Sequence, residues 1–170
     1  MKEYRDTVFE FIKSQDDLEF TLGDTLDIKT SIVLVVITFL ATQSADFLRG
    51  IPPLSTFWRC IQILSTLSLI VAGGVALYEL FPREYMARMS PGKFLGWVKE
   101  LSEFYKDHAD AESKIVSAID DAELKKVETR FARNSAINAL KSKLLEWSFY
   151  FTLAALVINL LTLLRLSFAP

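Results

Sequence analysis

Along this chain, blocks that are apolar around most of a helix alternate with stretches where charge recurs at helical spacing. Residues 32–40, 61–77 and 147–164 are apolar on nearly every face, whereas a soluble helix needs only one buried stripe. The last block, residues 147–168, offers about 22 nearly uninterrupted apolar positions, enough at about 1.5 Å per residue to cross a hydrocarbon core. The pattern predicts an all-α integral membrane protein with three transmembrane helices and a cytoplasmic helical hairpin insert. It divides the chain into an N-terminal cytoplasmic amphipathic helix (1–29), a transmembrane hairpin (30–81), the insert (82–146) and a third transmembrane helix (147–168).

Within residues 3–20, Tyr4, Val8, Phe11 and Ile12 share one helical face, and Gly23 is expected to break that helix before the first span at 30–48. Thr38, Thr42, Gln43, Ser44 and Asp46 dilute the second half of this span. Two prolines in the 50–56 loop punctuate the chain, and the second span, 57–81, ends at Pro82. In the insert, Ser90 and Pro91 resemble an N-cap and first-turn proline. Phe94, Trp97, Leu101, Phe104 and His108 then recur three or four apart as an amphipathic face. Asp120 with Glu123 suggests a capping box that starts another helix. No Gly or Pro interrupts 124–168, so the pattern predicts one rod of roughly 68 Å.

Charge by segment sets the orientation. Twelve Lys/Arg lie between spans two and three, among them Arg83, Arg88 and Lys93 after span two and Arg133, Lys141 and Lys143 before span three. The opposite loop has only Arg49 and Arg59. The positive-inside rule places the N-terminus and the insert in the cytoplasm of a multi-pass inner-membrane protein, with Arg165 reaching the far interface and Trp58 and Trp147 in interfacial belts. The first thirty residues carry eight Asp/Glu against four Lys/Arg, so a cleaved signal peptide is not expected.

The single cysteine, Cys60, and single histidine, His108, leave no disulfide and no Cys/His metal cluster to build. No nucleophile-base pair or phosphate-binding glycine loop is visible, so neither an enzyme nor a resident cofactor or metal is expected, nor a nucleic-acid partner. His108 reads as a packed or interfacial histidine.

A polar row is the feature that asks for an explanation. Ser148, Thr152, Ala155, Asn159 and Thr162 fall on one face of the third span. Gln62, Ser65, Ser68, Ala72, Ala76 and Glu79 repeat the pattern in the second, and Thr38, Thr42 and Asp46 in the first. Helix packing explains such faces, with Asn159 bonding across an interface at about 0.6 to 2 kcal/mol. Lining of a water-filled path in an oligomer is the sharper reading. Polar faces on all three spans suggest a homo-oligomer. Gly73 and Gly74 allow close approach. Lys126, Arg130 and Arg133, beside Lys125, share a face that could hold an anion such as a nucleotide phosphate, although nearby Asp120, Asp121, Glu123 and Glu128 favour a solvated surface.

Where the first span begins, Leu26-Asp27-Ile28-Lys29-Thr30-Ser31-Ile32-Val33-Leu34 resembles a motif of small bacterial antiphage membrane proteins, the Pycsar-type transmembrane effectors, in which an acid-x-Lys-small pattern opens the span. The likeness continues at Pro82-Arg83 and at 134–145, NSAINALKSKLL. It implies that a partner cyclase makes a cyclic pyrimidine mononucleotide, cyclic UMP or cyclic CMP, on phage infection, and that the effector impairs the inner membrane and halts the cell. Only Asp27 and Lys29 carry over, as structural or switch residues; taken alone, Asp27 would cap the helix and Lys29 would snorkel. No separate nucleotide-binding domain is recognisable, so sensing falls to the insert or to a protomer interface. A membrane-anchored scaffold, docking a protein through Phe94, Trp97 and Phe131, is the alternative. A constitutive channel or transporter is disfavoured because no charge lies mid-span and no inverted repeat is seen.

Overall fold

The computed structural model describes residues 2–50, 54–86 and 90–168, with side chains from residue 10 onward. The side chains of Tyr4 and Val8, the loop prolines Pro52 and Pro53, and Arg88 lie outside the described residues. Four helices follow one another, α1 (Lys2–Leu48), α2 (Thr56–Leu80), α3 (Pro91–Tyr105) and α4 (Ala111–Phe168), with no strand among the described residues. Three of them, α1, α2 and α4, are long and apolar enough to cross a membrane.

Two sequence expectations about helix ends are corrected. Gly23 does not interrupt α1, which runs unbroken for 47 residues; an interior glycine costs only about 1 kcal/mol relative to alanine, far less than a long helix gains from packing. Asp120 and Glu123 do not start a helix either, because α4 already begins at Ala111 and runs for 58 residues. The ends that do form have plain causes. Gly50 takes a φ of 82° immediately after α1, the left-handed conformation that stops helices where a β-carbon would clash. Pro82 lacks the amide α2 would need to continue. Ser90 sits in extended backbone before Pro91 at the first turn of α3, without a side-chain capping bond.

The helix α3 ends at Tyr105, so His108 falls in the connection to α4, exposed and edge-on to the Tyr105 ring at 5.5 Å. It is not the packed residue the spacing implied. The inward face of α3 runs through Phe94, Trp97, Leu101 and Tyr105, and Phe104 points outward.

The chain forms two compact units. Unit 1 comprises Met1–Thr21 and Arg83–Ile137, and unit 2 comprises Leu22–Pro82 and Asn138–Pro170. In unit 2 the apolar centre is small: Ile37, Leu40, Leu69, Ala72 and Ala155, flanked by Val33, Leu34, Phe151 and Leu156. Its large apolar side chains face outward instead, with Ile32, Val35, Phe39, Leu64, Ile70, Leu77 and Leu160 all at least half exposed. Apolar outside and polar inside is the arrangement a bilayer selects, because lipid, unlike water, solvates apolar side chains and strands polar ones.

Candidate functional site

The interior of unit 2 is built from the polar rows of α2 and α4. Ser68 Oγ donates to the Phe151 carbonyl at 2.9 Å, Ser148 Oγ to the Ala72 carbonyl at 3.0 Å, and Ser65 Oγ to the Ala155 carbonyl at 3.4 Å. Further along, Gln62 Nε2 donates to Thr162 Oγ1 at 2.6 Å, and that hydroxyl donates to the Ile158 carbonyl at 3.0 Å. On the α1 side, Ser44 Oγ donates to Oδ1 of Asn159 and accepts from its Nδ2, both at 3.2 Å. Thr152 turns its hydroxyl back to the Ser148 carbonyl at 2.8 Å. Small side chains make this possible, since Ala72, Ala76 and Ala155 are wholly buried and let the backbones approach.

The polar row of the second and third spans is therefore satisfied largely within one chain. The row predicted for α1 is displaced. Thr38 and Thr42 are exposed and bond back to the Leu34 and Thr38 carbonyls of their own helix, and Asp46 faces outward beside Arg49 at 3.5 Å. The inward face of α1 carries Thr30, Ile37, Leu40, Ser44 and Phe47. In unit 2 the buried polar atoms without a hydrogen-bond partner include the Thr30 hydroxyl and the Gln62 carbonyl oxygen.

Where α1 and α4 enter unit 2, the interior becomes charged. Lys141 is 3 % exposed and its ammonium bonds the Asp27 carboxylate; Glu79 is wholly buried and Asn138 nearly so. Asp27 is not a helix cap, because α1 passes straight through it. Lys29, its partner in the sequence motif, is exposed. Asp27 also borders an open hollow on the outer face of α1, lined by Ile28, Ser31, Ile32 and Val35. At the other end, Arg165 lies over the Trp58 ring at 5.7 Å, a cation-π contact suited to an interface.

In unit 1 each of the three predicted anion contacts has a partner within the chain. Arg130 is buried and committed to Asp16, with Nε at 2.8 Å and Nη2 at 2.6 Å from Oδ2. Lys126 lies over the Trp97 ring at 4.6 Å. Arg133 is half exposed, 3.9 Å from Glu84. Asn134, one turn beyond Arg130, is wholly buried and accepts the Met86 amide at 3.0 Å, and Phe20 and Tyr85 are in ring contact at 6.3 Å. Phe94, Trp97 and Phe131 are half-buried, so they are not the open docking face expected of them.

Sequence reasoning missed Asp16, Ser44, Asn134, Asn138 and Lys141 as members of buried polar contacts. A signal was present: running the α4 row upstream from Ser148 at intervals of three and four reaches Lys141, Asn138, Asn134 and Arg130, all of them buried. Among the described residues, no group of three His, Cys, Asp or Glu side chains is placed to hold a metal ion.

The family model of the Pycsar effector protein domain matches residues 15–167. No curated protein and no solved structure matches the chain.

Proposed function

The chain belongs to the Pycsar effector family and is a transmembrane antiphage effector, and from that premise we propose that it impairs the bacterial inner membrane on sensing a cyclic pyrimidine mononucleotide, cyclic UMP or cyclic CMP, made by a partner cyclase. The observation that carries this reading is the inverted character of unit 2. Its wholly buried side chains include Thr30, Ser44, Gln62, Ser65, Glu79, Ser148 and Thr162, far more polarity than three helices need to stay together. A core of this kind is stable when packed and hydrates when the helices part, so a modest rearrangement converts a seal into a leak. The twelve basic residues of 82–146 support a cytoplasmic insert and N-terminus. Sensing is assigned to the insert, where an anionic ligand would compete with Asp16 for Arg130 while drawing on Lys126 and Arg133. Thr38, Thr42 and Asp46, polar yet outward-facing on a spanning helix, support self-association in the membrane.

The test is membrane potential, read with a voltage-sensitive dye in bacteria expressing the chain beside an active or inactive pyrimidine cyclase. Depolarisation only with the active cyclase is the expected result. An unchanged potential in both arms, with insertion confirmed, refutes the reading. Leu95 and Phe104, 66 % and 73 % exposed on α3, favour a second reading in which unit 1 docks a protein and the spans only anchor it. A scaffold of that kind would leave growth unaffected on induction, with or without the cyclase.

A further inference from the structure

At the charged end of unit 2 the buried Lys141 ammonium is bonded by the Asp27 carboxylate. The α2 and α4 pairings fix an antiparallel register, with Ser68 against Phe151 and Ala72 against Ser148. Seven residues beyond Ala72 on α2 is Glu79, and seven residues before Ser148 on α4 is Lys141. Both are inward and buried, so they occupy the same level of the bundle. From the α1 side, Asp27 bonds the same ammonium. Asp27 thus holds the Lys141 ammonium, and Glu79 is the buried carboxyl at the same level on α2. A lysine is drawn into such a place only by compensating charge, because desolvating an ammonium is costly.

What lies beyond Lys141 is suited to the same kind of ion. The row passes Ser148, Thr152 and Ser65 and reaches Asn159 and Gln62, all neutral and rich in oxygen. The Thr30 hydroxyl, one turn beyond Asp27 on α1, and the Gln62 carbonyl oxygen farther along are buried without hydrogen-bond partners. Spare oxygen acceptors and no fixed charge in the middle make a path that replaces the hydration shell of a hard cation without trapping it. Asp27, whose side chain is 44 % exposed, lies between this interior and the outside.

We propose that Lys141 is a tethered cation that closes the entrance of this polar row, and that Asp27 and Glu79 are the carboxylates that take up a free monovalent cation once its ammonium withdraws. The leak is then selective for small cations over anions, and the closed state is held by occupancy of the site rather than by an apolar gate. This rests on the membrane-impairing reading above and adds to it the ion class and the closing residue.

The experiment uses the purified full chain in liposomes loaded with potassium chloride, with potassium and chloride efflux measured separately and no nucleotide added. Wild type and Lys141→Arg are expected to be tight. Lys141→Met is expected to release potassium at least about tenfold faster, the loss of one buried ionic partner being ample to shift a two-state population that far, with chloride retained. Adding Asp27→Asn and Glu79→Gln to Lys141→Met should return potassium efflux toward the wild-type rate. Because Lys141→Met could fail to assemble, a second variant decides independently. In a Cys60→Ser background, Lys141→Cys should leak potassium, and an aminoethyl methanethiosulfonate, which rebuilds a tethered ammonium, should close it, whereas the uncharged methyl reagent should not. Equal efflux from wild type and Lys141→Met, chloride release as fast as potassium, or equal effects of the two reagents would each overturn the proposal. The cyclase-dependent depolarisation of cells tests the underlying reading separately, so a failure of one is distinguishable from a failure of the other.

Discussion

Replacing Arg130 by methionine should loosen unit 1 by an amount the structure sets. The guanidinium places two nitrogens on a single oxygen of Asp16, at 2.8 and 2.6 Å. The aspartate is wholly buried, and its other carboxylate oxygen has no hydrogen-bond partner, so Arg130 provides nearly all the compensation for that charge. Methionine keeps the stem volume and removes the charge. The expected loss is about 3 to 5 kcal/mol, the range for breaking one side of a buried pair, or roughly two to three and a half decades in local opening at about 1.4 kcal/mol per decade. Hydrogen exchange of the full chain in nanodiscs reads this by segment: amides of residues 12–20 and 124–136 should exchange faster by about a hundredfold or more, while those of residues 62–76 in unit 2 hold their rates. Asp16→Leu added to Arg130→Met should restore protection to within about 1 kcal/mol, because an apolar pair of similar volume carries no desolvation penalty. If Arg130→Met shifts opening by less than about 1 kcal/mol, or if the double variant is no better protected than the single, the pair does not hold unit 1 together and the reasoning is wrong.

Three further outcomes are expected. A double-mutant cycle on Gln62→Leu and Thr162→Val, read from unfolding in detergent micelles, should give a coupling of about 0.6 to 1.7 kcal/mol, the range for side-chain bonds between helices in a membrane. Gly74→Ala, where an added β-carbon meets nothing within 4 Å, should stabilise α2 by about 0.5 to 1 kcal/mol, whereas Gly50→Ala should cost about 1 to 2 kcal/mol because its φ of +82° is unfavourable for alanine. Thr38→Val and Thr42→Val, whose hydroxyls bond only their own helix, should change monomer stability by less than about 0.5 kcal/mol; a drop in self-association measured by cross-linking would then report a contact between copies.

The all-helical, three-span architecture was legible because the apolar blocks at 61–77 and 147–164 have few alternatives at that length, while the short block at 32–40 is extended into a span by a diluted polar half. The faces of α2 and α4 were legible for a related reason: in a run of leucines and isoleucines, Ser65, Ser148 and Asn159 stand out, and helical spacing groups them. The face of α1 was not. Thr38, Thr42 and Asp46 are as regularly spaced as Ser148, Thr152 and Asn159, yet they face outward, and Ser44, two residues from Thr42, takes the inward place. Periodicity identifies a face without saying which neighbour it meets, and a threonine that bonds its own i−4 carbonyl tolerates either side. The partners of the basic cluster were hidden for a different reason. Lys126, Arg130 and Arg133 do lie near one another along α4, but the partner of Arg130 is Asp16, 114 residues away, and one sequence carries no pairing information at that range. Gly23 and the Asp120–Glu123 pair were read by local propensity, which long helices override.

Three of the bonds joining α2 to α4 share a peculiarity. Ser65, Ser68 and Ser148 donate to main-chain carbonyls of the facing helix, not to side chains. A carbonyl recurs at every residue, so a hydroxyl docked on that ladder finds an equivalent rung after the helices slide by one turn. Gln62 with Thr162 and Ser44 with Asn159 have no such second address, since each needs one particular partner. The seam therefore combines sliding fasteners with fixed pins. Stroke length would be quantised in helical turns, and the pins, few and concentrated toward one end of the bundle, would set the threshold for the first step.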